Sequence, residues 1–521
     1  MRKRVLKSIA LVLMIIFISS GVSCSKKADN NSTKSGNTKD EYDKIPMEIS
    51  AEIFDRGQVL PEEGSYEENR WTKYINENSG VKVTWVPVLR TQTEQKLNSL
   101  IAVGQAPDLM WDYGTNFLLT RINQNVIQPI DEYIEKYSTS YKAYIKAHPE
   151  LLPYVTKNGK MYAVTSKRGI DVIANHGMVI RKDWLDELGL KMPTTDEELL
   201  KVAEAFKNND PDGNGKNDTY GFAYNYNLDG IIQAFYNCIN YQWYIENGKV
   251  KYGTTLDRYK EVLAFRKKLF EEGLIEKDPG KSYENEKQLW INGKAGIYMG
   301  GYAPPYYRDF KKNNPNAVVE PLESVSTKYG RNGLYQEPPA NRLIVFNKNM
   351  KNPKAAVKLL DWMIDKGWFT IMFGVAGQNY KMVDGLPKAI DADKNQKELQ
   401  YSTEYALINN WDPKPEAFKI MSADDPIAKE EADLKGRGIQ VAMKNVFRRD
   451  IPYAPTFDDL LKGTNEKFQF STSGIINKVI TGGSQYTPEW GMEQIQATWK
   501  KQGGEKMEQL MQAWYEKNFK K

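Results

Sequence analysis

Short apolar runs alternate with amphipathic stretches in the part of the chain that follows residue 45. Met47–Phe54 and Val81–Val88 alternate apolar and polar residues with period two, which predicts strands, and Ala106–Trp111 begins a third strand. Glu67–Asn78 and Glu94–Val103 carry apolar residues on one face with helical spacing, and a glycine follows each closely. Because strands and helices alternate, the pattern predicts an α/β fold with a mostly parallel sheet.

The same alternation resumes in the middle of the chain. Met178–Trp184 runs from an apolar strand into a helix, and Leu256–Glu272 has the pattern of a long amphipathic helix. Ala295–Met299 and Leu343–Asn347 are short apolar runs that predict buried strands, while Asn247–Gly248 predicts a hairpin turn. About 475 residues follow the first 45, which is enough for two lobes with cores of their own.

The N-terminus has the order of a lipoprotein signal. Arg2, Lys3, Arg4 and Lys7 precede the apolar run Ile9–Ile18, which is too short for a mature membrane span, and small residues then lead to Cys24. We predict a signal peptide over residues 1–23 and a lipid on Cys24, which holds the protein at the extracellular face of the cell membrane. An ordinary signal peptide with an incidental cysteine is the alternative. Residues 24–45 are polar and aperiodic, which predicts a flexible tether.

Charge and composition exclude several classes of function. The formal net charge of +5 falls to +1 once the four cations of the signal peptide are removed, so nothing favours nucleic acid as a partner. The mature chain keeps Cys238 besides Cys24, and we expect Cys238 to be a small buried hydrophobe. Only 2 His stand beside 12 Trp and 31 Tyr, which argues against histidine-based catalysis and suits the stacking of sugar rings.

A regular series of oxygen donors lies between two predicted elements. Asp210, Asp212, Asn214 and Asp218 occupy positions 1, 3, 5 and 9 of a calcium loop, and Lys216 would supply its carbonyl at position 7. Gly215 stands at position 6, where the chain must turn, but position 12 is Gly221 rather than an acid. We predict a structural Ca²⁺ here, with a polar turn that binds no metal as the alternative.

Several motifs along the chain, taken together, resemble one family. They are Asn69–Trp71 with Gly80–Val83, Gly104–Asp108, Asn158–Val164, Arg181–Leu190 with Pro193, Asp210–Lys216, Gly293–Ile297 and Gly374–Tyr380. In this combination the chain resembles the extracellular solute-binding proteins of ABC importers, family 1, and is similar to the large Gram-positive lipoproteins related to alginate-oligosaccharide binders. Ala376 departs from the pattern, where Glu is expected.

The resemblance implies a two-lobed periplasmic-binding-protein-like fold (type II), with the ligand cleft between the lobes. Matching the motifs places the N-terminal lobe at residues 46–165 plus 322–374 and the C-terminal lobe at 166–321 plus 375–521. It also implies a monomer that closes on a carbohydrate and delivers it to the permease subunits of an importer, whose separate ATPase supplies the energy. A surface sugar sensor or adhesin without a transporter, and a binder of peptides or other solutes, are the alternatives.

Candidate ligand contacts follow from aromatic and basic residues near predicted strand ends and loops. Trp111, Asp112 and Tyr113 follow a strand at its carboxyl end, where ligands of open α/β sheets bind. The other candidates are Tyr302, Tyr306 and Tyr307 in an aromatic loop that resembles the sugar-stacking loop of maltodextrin-type binders, Trp243 in the hairpin, Trp411 in a loop, and Arg56 and Arg168, which could pair with a uronate carboxylate. Core packing for the aromatics, and salt bridges for the two arginines, are the alternatives.

An enzyme is the remaining class. A glycoside hydrolase needs two carboxylates at a defined separation, and none of the many acids here stands in a motif that singles out a pair. We therefore expect a binding protein without catalysis. Trp71, Trp184, Trp290 and Trp362 lie in periodic helical or strand patterns, which assigns them to packing.

Overall fold

The computed structural model describes residues 40–223, 226–276, 283–302, 307–451 and 464–519. The chain divides into two compact units, residues 1–44 and 45–521. In the first unit the described part is a single 3-10 turn, Glu41–Lys44, so the predicted signal peptide, Cys24 and most of the predicted tether lie outside the described residues. Within these ranges no helix is both long and apolar enough to cross a membrane.

A five-stranded sheet forms the centre of the first lobe. Its strands, in spatial order, are Lys82–Leu89, Glu48–Asp55, Leu109–Asp112, Leu343–Phe346 and Ala163–Val164. The first three are parallel, as the alternation of strands and helices predicts, whereas Leu343–Phe346 runs antiparallel to both of its neighbours. That strand comes after the strands of the second lobe in the chain, so the first sheet is completed by a segment distant in sequence.

A four-stranded sheet forms the centre of the second lobe. Its spatial order is Val319–Leu322, Met178–Arg181, Ala295–Met299 and Tyr220–Ala223. Met178–Arg181 is antiparallel to both neighbours, and Ala295–Met299 is parallel to Tyr220–Ala223. Trp243–Glu246 and Lys249–Tyr252 pair as the predicted hairpin, and both turn residues, Asn247 and Gly248, have the positive φ that such a turn requires.

Helices cover both sheets. The longer ones are Arg70–Asn78, Thr93–Ala102, Thr115–Asn123, Ser140–Ala147, Asp196–Asn208, Tyr226–Phe235, Tyr259–Glu271, Tyr283–Ile291, Pro353–Trp362, Ala392–Leu399, Pro426–Lys444, Thr464–Thr481, Pro488–Lys501 and Gly504–Asn518. Side-chain caps fix the starts of some of them: Asn69 accepts hydrogen bonds from the backbone N–H groups of Trp71 and Thr72, so the first helix begins later than its apolar pattern. Thr195 accepts from the N–H of Glu198 in the same way.

Two separate hydrophobic cores correct the lobe boundaries that the motifs predict. Leu322, Val325 and Leu334 pack in the second core although the prediction puts residues 322–374 in the first lobe. Conversely, Tyr401–Ile408 pack in the first core although the prediction puts 375–521 in the second lobe. The physical reason is strand pairing and ring packing, since Leu322 ends the strand that pairs with Met178–Arg181, and Tyr405 stacks edge-on against Trp85 at 4.9 Å.

The residues assigned to packing are buried, as the sequence predicts. Trp71, Trp184, Trp290 and Trp362 all belong to the two cores. Cys238 is a free thiol with no exposed surface, and burial raises its pKa.

Candidate functional site

A cleft of about 300 Å³ is lined by residues that belong to both lobes. The first lobe contributes Tyr113, Gly114, Thr115, Asn116, Tyr154, Ala340 and Leu343, and the second contributes Tyr241, Gln242, Trp243, Tyr335, Pro338, Arg449 and Ile451. Five of these residues are aromatic, and most of the others carry a polar side chain or a small apolar one. Such a lining offers faces for stacking together with donors and acceptors for hydrogen bonds.

Tyr113 lies at the first lobe's wall of the cleft, directly after the strand Leu109–Asp112. Its ring packs edge-on against Trp111 with centroids 5.6 Å apart, and the guanidinium groups of Arg90 and Arg168 lie 5.7 and 5.6 Å from its centroid. The Oδ1 atom of Asp112 accepts a hydrogen bond from the N–H of Tyr113 at 2.7 Å and pairs with Arg90 at 3.5 Å. The strand end therefore brings Tyr113 to the cleft, whereas Asp112 does not line it and is already partnered.

Trp111 does not reach the cleft surface, which corrects its prediction as a ligand contact. The residue is 0% exposed, its indole N–H donates to the carbonyl of Glu52 at 3.0 Å, and the guanidinium of Arg342 covers its ring at 4.2 Å. Its strand is the central one of five, so neighbouring strands and their side chains enclose the indole.

Arg56 and Arg168 are held by carboxylates of the protein itself, which is the salt-bridge alternative. The Nε of Arg56 bonds to Glu404 at 2.6 Å. Arg168 forms an ion pair with Glu337, whose other oxygen lies 3.0 Å from the Nε2 of His176. Burial alone would raise the pKa of Glu337, but the hydrogen bond from His176 and the charge of Arg168 lower it to about 2. Neither arginine lines the cleft, and the charge of each is balanced by its carboxylate partner.

The two described tyrosines of the predicted aromatic loop, Tyr302 and Tyr307, belong to the second core and do not line the cleft. Tyr302 is buried, with its ring inserted between Gly177 and Gly438, where a side chain would clash. Tyr307 is buried as well, and its hydroxyl donates to Glu430 at 2.7 Å. Tyr302 and Tyr307 as ligand contacts are therefore corrected to core residues, and Tyr306 lies outside the described residues.

Trp243 and Trp411 have different surroundings. Trp243 lines the cleft with the small part of its surface that stays exposed, while its ring packs against Tyr252 at 5.1 Å and Trp499 at 6.2 Å. Trp411 is half-buried beside Phe373, with ring centroids 4.9 Å apart, and does not line the cavity. The ligand contacts of both residues remain predictions.

Of the residues that line the cleft, the sequence analysis named only Tyr113 and Trp243 as ligand contacts, and those it missed include Tyr241, Tyr335 and Arg449. Tyr241 is 63% exposed at the second lobe's rim, in the left-handed backbone region. Tyr335 packs edge-on against His176 at 4.8 Å. Arg449 lies beside the rings of Tyr335 and Phe447, 5.7 and 5.2 Å from their centroids. One local signal could have indicated this wall of the cleft. It is the run Phe447–Arg448–Arg449, in which two cations follow an aromatic residue outside any helix.

The predicted calcium loop folds around its own side chains. Asp210 accepts hydrogen bonds from the N–H groups of Asn214 and Gly215 at 3.2 and 2.8 Å. The amide of Asn214 donates to Asp212 at 2.8 Å and to Asp218 at 3.2 Å. Lys294 immediately precedes the strand Ala295–Met299. Its ammonium lies 2.8 Å from Asp212 and 3.0 Å from Asp218. A cation of the protein therefore already bridges two of the predicted ligands.

The donor set only partly fits a metal ion. The Oδ1 atom of Asp212 is buried and has no hydrogen-bond partner in the described part of the chain, which suits a hard cation. Position 12 offers no side-chain ligand, because Gly221 has no side chain and packs directly on Ala203. The hydroxyl of Thr219, two residues earlier, donates a hydrogen bond to the carbonyl of Phe206 at 2.7 Å. Among the described residues, no three His, Cys, Asp or Glu side chains are grouped so that they could hold a metal ion.

Comparisons with known proteins give consistent matches. The family model described as bacterial extracellular solute-binding protein matches residues 60–369. The polygalacturonan/rhamnogalacturonan-binding protein YtcQ of Bacillus subtilis (strain 168) is 27% identical over 374 residues, which are 69% of this chain and 69% of YtcQ. Lipoprotein LipO of the same strain is 29% identical over 387 residues, 70% of this chain and 74% of LipO.

Solved structures resemble the whole chain beyond its N-terminus. The Streptococcus pneumoniae ABC-transporter substrate-binding protein FusA, in complex with kestose, aligns with a TM-score of 0.69 at 20% identity, covering 90% of this chain and 99% of that one. A second FusA structure, an EF-hand mutant in complex with fructo-nystose, aligns equally well. At this level of identity the likeness shows a shared fold.

Proposed function

The chain belongs to the bacterial extracellular solute-binding protein family, and from that premise we propose that it captures an oligosaccharide for an ABC importer. The fold is the two-lobed periplasmic-binding-protein-like fold (type II) that the sequence predicts. The observation that carries the proposal is the cleft, in which Tyr113 and Tyr154 of one lobe face Tyr241, Trp243 and Tyr335 of the other. Relatives whose names specify polygalacturonan/rhamnogalacturonan or fructooligosaccharide as the ligand support a carbohydrate.

The lining suits sugars because a pyranose or furanose ring has both apolar faces and hydroxyl edges. Aromatic rings cover the C–H faces, and polar side chains such as Asn116 and Gln242 can bond the hydroxyls. No step of bond breaking is required of any residue. The arrangement therefore supports binding without catalysis, as expected of a solute-binding family.

Capture would proceed by closure of the two lobes. A ligand that contacts both walls of the cleft stabilises the closed form relative to the open one, and the shift equals the difference between its affinities for the two. The closed, loaded protein is the form that permease subunits would recognise. The predicted lipid on Cys24 and the tether over residues 24–45 would keep the binding unit beside those subunits at the outer face of the membrane.

A structural Ca²⁺ is a separate part of the proposal. Asp210, Asp212, Asn214 and Asp218 would hold it with their side chains, together with the carbonyl of Lys216. The unpartnered oxygen of Asp212 supports this assignment, and a relative of the same fold carries an EF-hand. The ion would compete with the ammonium of Lys294 for Asp212 and Asp218.

The test is calorimetric titration of the mature protein with a panel of neutral and acidic oligosaccharides, with a peptide library as the counter-panel. A ligand present at 100 times its dissociation constant should raise the free energy of unfolding by about 2.7 kcal/mol, so thermal melting gives an independent readout. Selective binding of one saccharide class supports the proposal. Binding of peptides with no response to any saccharide contradicts it and favours the alternative class of solute.

A transport assay separates import from sensing. Cells that lack the gene should lose uptake of the identified saccharide and regain it with the wild-type gene. If uptake is unchanged while binding is confirmed, the non-transport sensor or adhesin is the correct function.

A further inference from the structure

Three arginines that lie behind the first lobe's wall of the cleft are each paired with a carboxylate of the protein. Arg56 pairs with Glu404, Arg90 with Asp112, and Arg168 with Glu337. These three arginines therefore offer an incoming ligand little net charge. Arg449, by contrast, lines the cleft, and no carboxylate among the described residues lies within ion-pair distance of it.

The contacts of Arg449 leave most of its donors unused. One terminal N–H group donates to the carbonyl of Gln336. The planar guanidinium is flanked by the rings of Tyr335 and Phe447, 5.7 and 5.2 Å from their centroids, and the residue is half-buried. A guanidinium carries five N–H donors in a fork that matches a carboxylate, so a bidentate partner could still be accommodated.

Two acids beside Arg449 and its acceptor Gln336, namely Asp450 and Glu337, cannot serve as that partner, because other groups occupy them. Asp450 accepts hydrogen bonds from the guanidinium of Arg448 at 2.6 to 3.1 Å and from the N–H of Ile245 at 2.7 Å. Glu337 is bound by Arg168 and His176. Among the described residues no acid balances the charge of Arg449, which lies beside aromatic rings, where water solvates it poorly and an anion would bind more strongly than in open solvent.

We infer that Arg449 is a specificity-determining residue that binds a carboxylate of the ligand, so that the cargo is an acidic oligosaccharide containing uronate residues. This inference rests on the proposed carbohydrate function. The aromatic walls, led by Tyr113 and Tyr241, hold the sugar rings, and Arg449 selects for a charged group at the position of the second lobe's wall. A neutral sugar would leave the guanidinium without its partner.

The experiment is calorimetric titration of the mature wild-type protein with uronate oligosaccharides of several backbones, their methyl esters, and neutral oligosaccharides of equal length. The variants are Arg449→Gln, Arg449→Lys and, as a matched control, Arg437→Gln. The side chain of Arg437 is 41% exposed, pairs with Asp433 and Glu320, and does not line the cleft. Thermal melting of each variant checks that it folds.

We expect the wild type to bind one uronate oligosaccharide and to bind its ester about tenfold to hundredfold more weakly, as for loss of a charged hydrogen bond. Arg449→Gln should weaken binding of the acid by the same factor and leave binding of the ester unchanged, because the ester has no charge to lose. Arg449→Lys should recover part of the affinity but not the full bidentate preference. Arg437→Gln should match the wild type with both ligands.

Three results overturn the inference. If Arg449→Gln weakens the acid and its ester equally, Arg449 binds hydroxyl groups and not a carboxylate. If only neutral oligosaccharides bind, the acidic class is wrong while the carbohydrate function stands. If no saccharide of either kind binds, the proposed function fails together with the inference.

Discussion

Arg56 and Glu404 form an ion pair of 2.6 Å that joins the end of the first strand to a segment 348 residues further along the chain. Glu404 is 5% exposed, and its second oxygen lies 3.2 Å from the guanidinium of Arg342. Arg342 in turn donates to the carbonyls of Glu404 and Ala406, both at 2.9 Å. This network fastens Tyr401–Ile408 to the first lobe, which explains why that segment belongs to the first core.

Glu404→Gln should destabilise the first lobe. The substitution keeps the shape but removes the charge that balances Arg56 and the buried Arg342, and removal of one partner from a buried pair costs about 3–5 kcal/mol. Urea unfolding followed by tryptophan fluorescence measures the loss, since Trp85 packs on Tyr405 beside the network.

The control for that prediction is Glu77→Gln. Glu77 pairs with Lys73 at 3.9 Å on an exposed helix face, with 59% and 77% of their side chains accessible. An exposed pair of this kind contributes about 0–1 kcal/mol, so the variant should have nearly the same free energy of unfolding as the wild type. Equal effects of the two substitutions would show that the network around Glu404 contributes no more than a surface pair.

The buried carboxyl of Glu52 should make stability depend on pH. Burial raises the pKa of Glu52 to about 8, against the charges of Arg121 and Arg90 and the N–H of Trp111, while Asp112 raises it further. The unfolded chain releases this proton near the ordinary value of 4.5. Between these values the folded state binds more protons than the unfolded one, so the stabilisation is complete at low pH and is lost as pH rises to about 8.

Glu52→Gln should flatten this dependence. In the wild type the N–H of Trp111 donates to Oε2 of Glu52 at 2.8 Å, and the amide oxygen of the variant can still accept this hydrogen bond. The side chain of the variant no longer titrates. Free energies of unfolding measured from pH 5 to pH 8 should fall more steeply for the wild type than for the variant. Parallel curves would mean that Glu52 is ionised in the folded protein throughout that range.

Lys294→Met should make the loop depend on calcium. Without the ammonium, Asp212 and Asp218 repel each other across Asn214, and the loss is about 1 kcal/mol for a half-exposed pair. The melting temperature of the variant in EDTA should be a few degrees lower than that of the wild type, and calcium should raise it by more than it raises that of the wild type. The control is Lys251→Met, which breaks an ion pair with Glu508 elsewhere in the second lobe. If calcium shifts neither protein, the loop binds no metal.

Tyr241→Ala should weaken ligand binding without destabilising the protein. The ring is exposed at the cleft rim, so its removal leaves no cavity, and stacking on one sugar is worth about 0.5–1.5 kcal/mol, or roughly threefold to tenfold in affinity. Tyr329→Ala is the control, because Tyr329 is an exposed tyrosine of the same lobe that does not line the cleft. Unchanged affinity in Tyr241→Ala would remove this residue from the binding surface.

The candidate site was harder to predict than the elements that carry it. Tyr113 was identified because a strand end is a local feature, and the structure places it at the cleft. The prediction that Trp111, two residues earlier, contacts the ligand was wrong because the burial of Trp111 depends on neighbouring strands that lie far away in sequence, Glu48–Asp55 and Leu343–Phe346. Arg449 was missed because its place at the cleft, and the absence of a described acid beside it, depend on contacts between distant segments.

Local patterns in the sequence by themselves determined the α/β alternation, the hairpin at Asn247–Gly248, the helix caps and the series of oxygen donors from Asp210 to Asp218. Each depends on residues within a few positions of one another, where backbone geometry allows few solutions. Only the tertiary structure decided that Tyr401–Ile408 joins the first core, that Lys294 reaches the donor loop, and that Arg449 lines the cleft with no described acid beside it. Burial and ion pairing are settled by which segments meet in space, and these meetings join residues that lie tens to hundreds of positions apart.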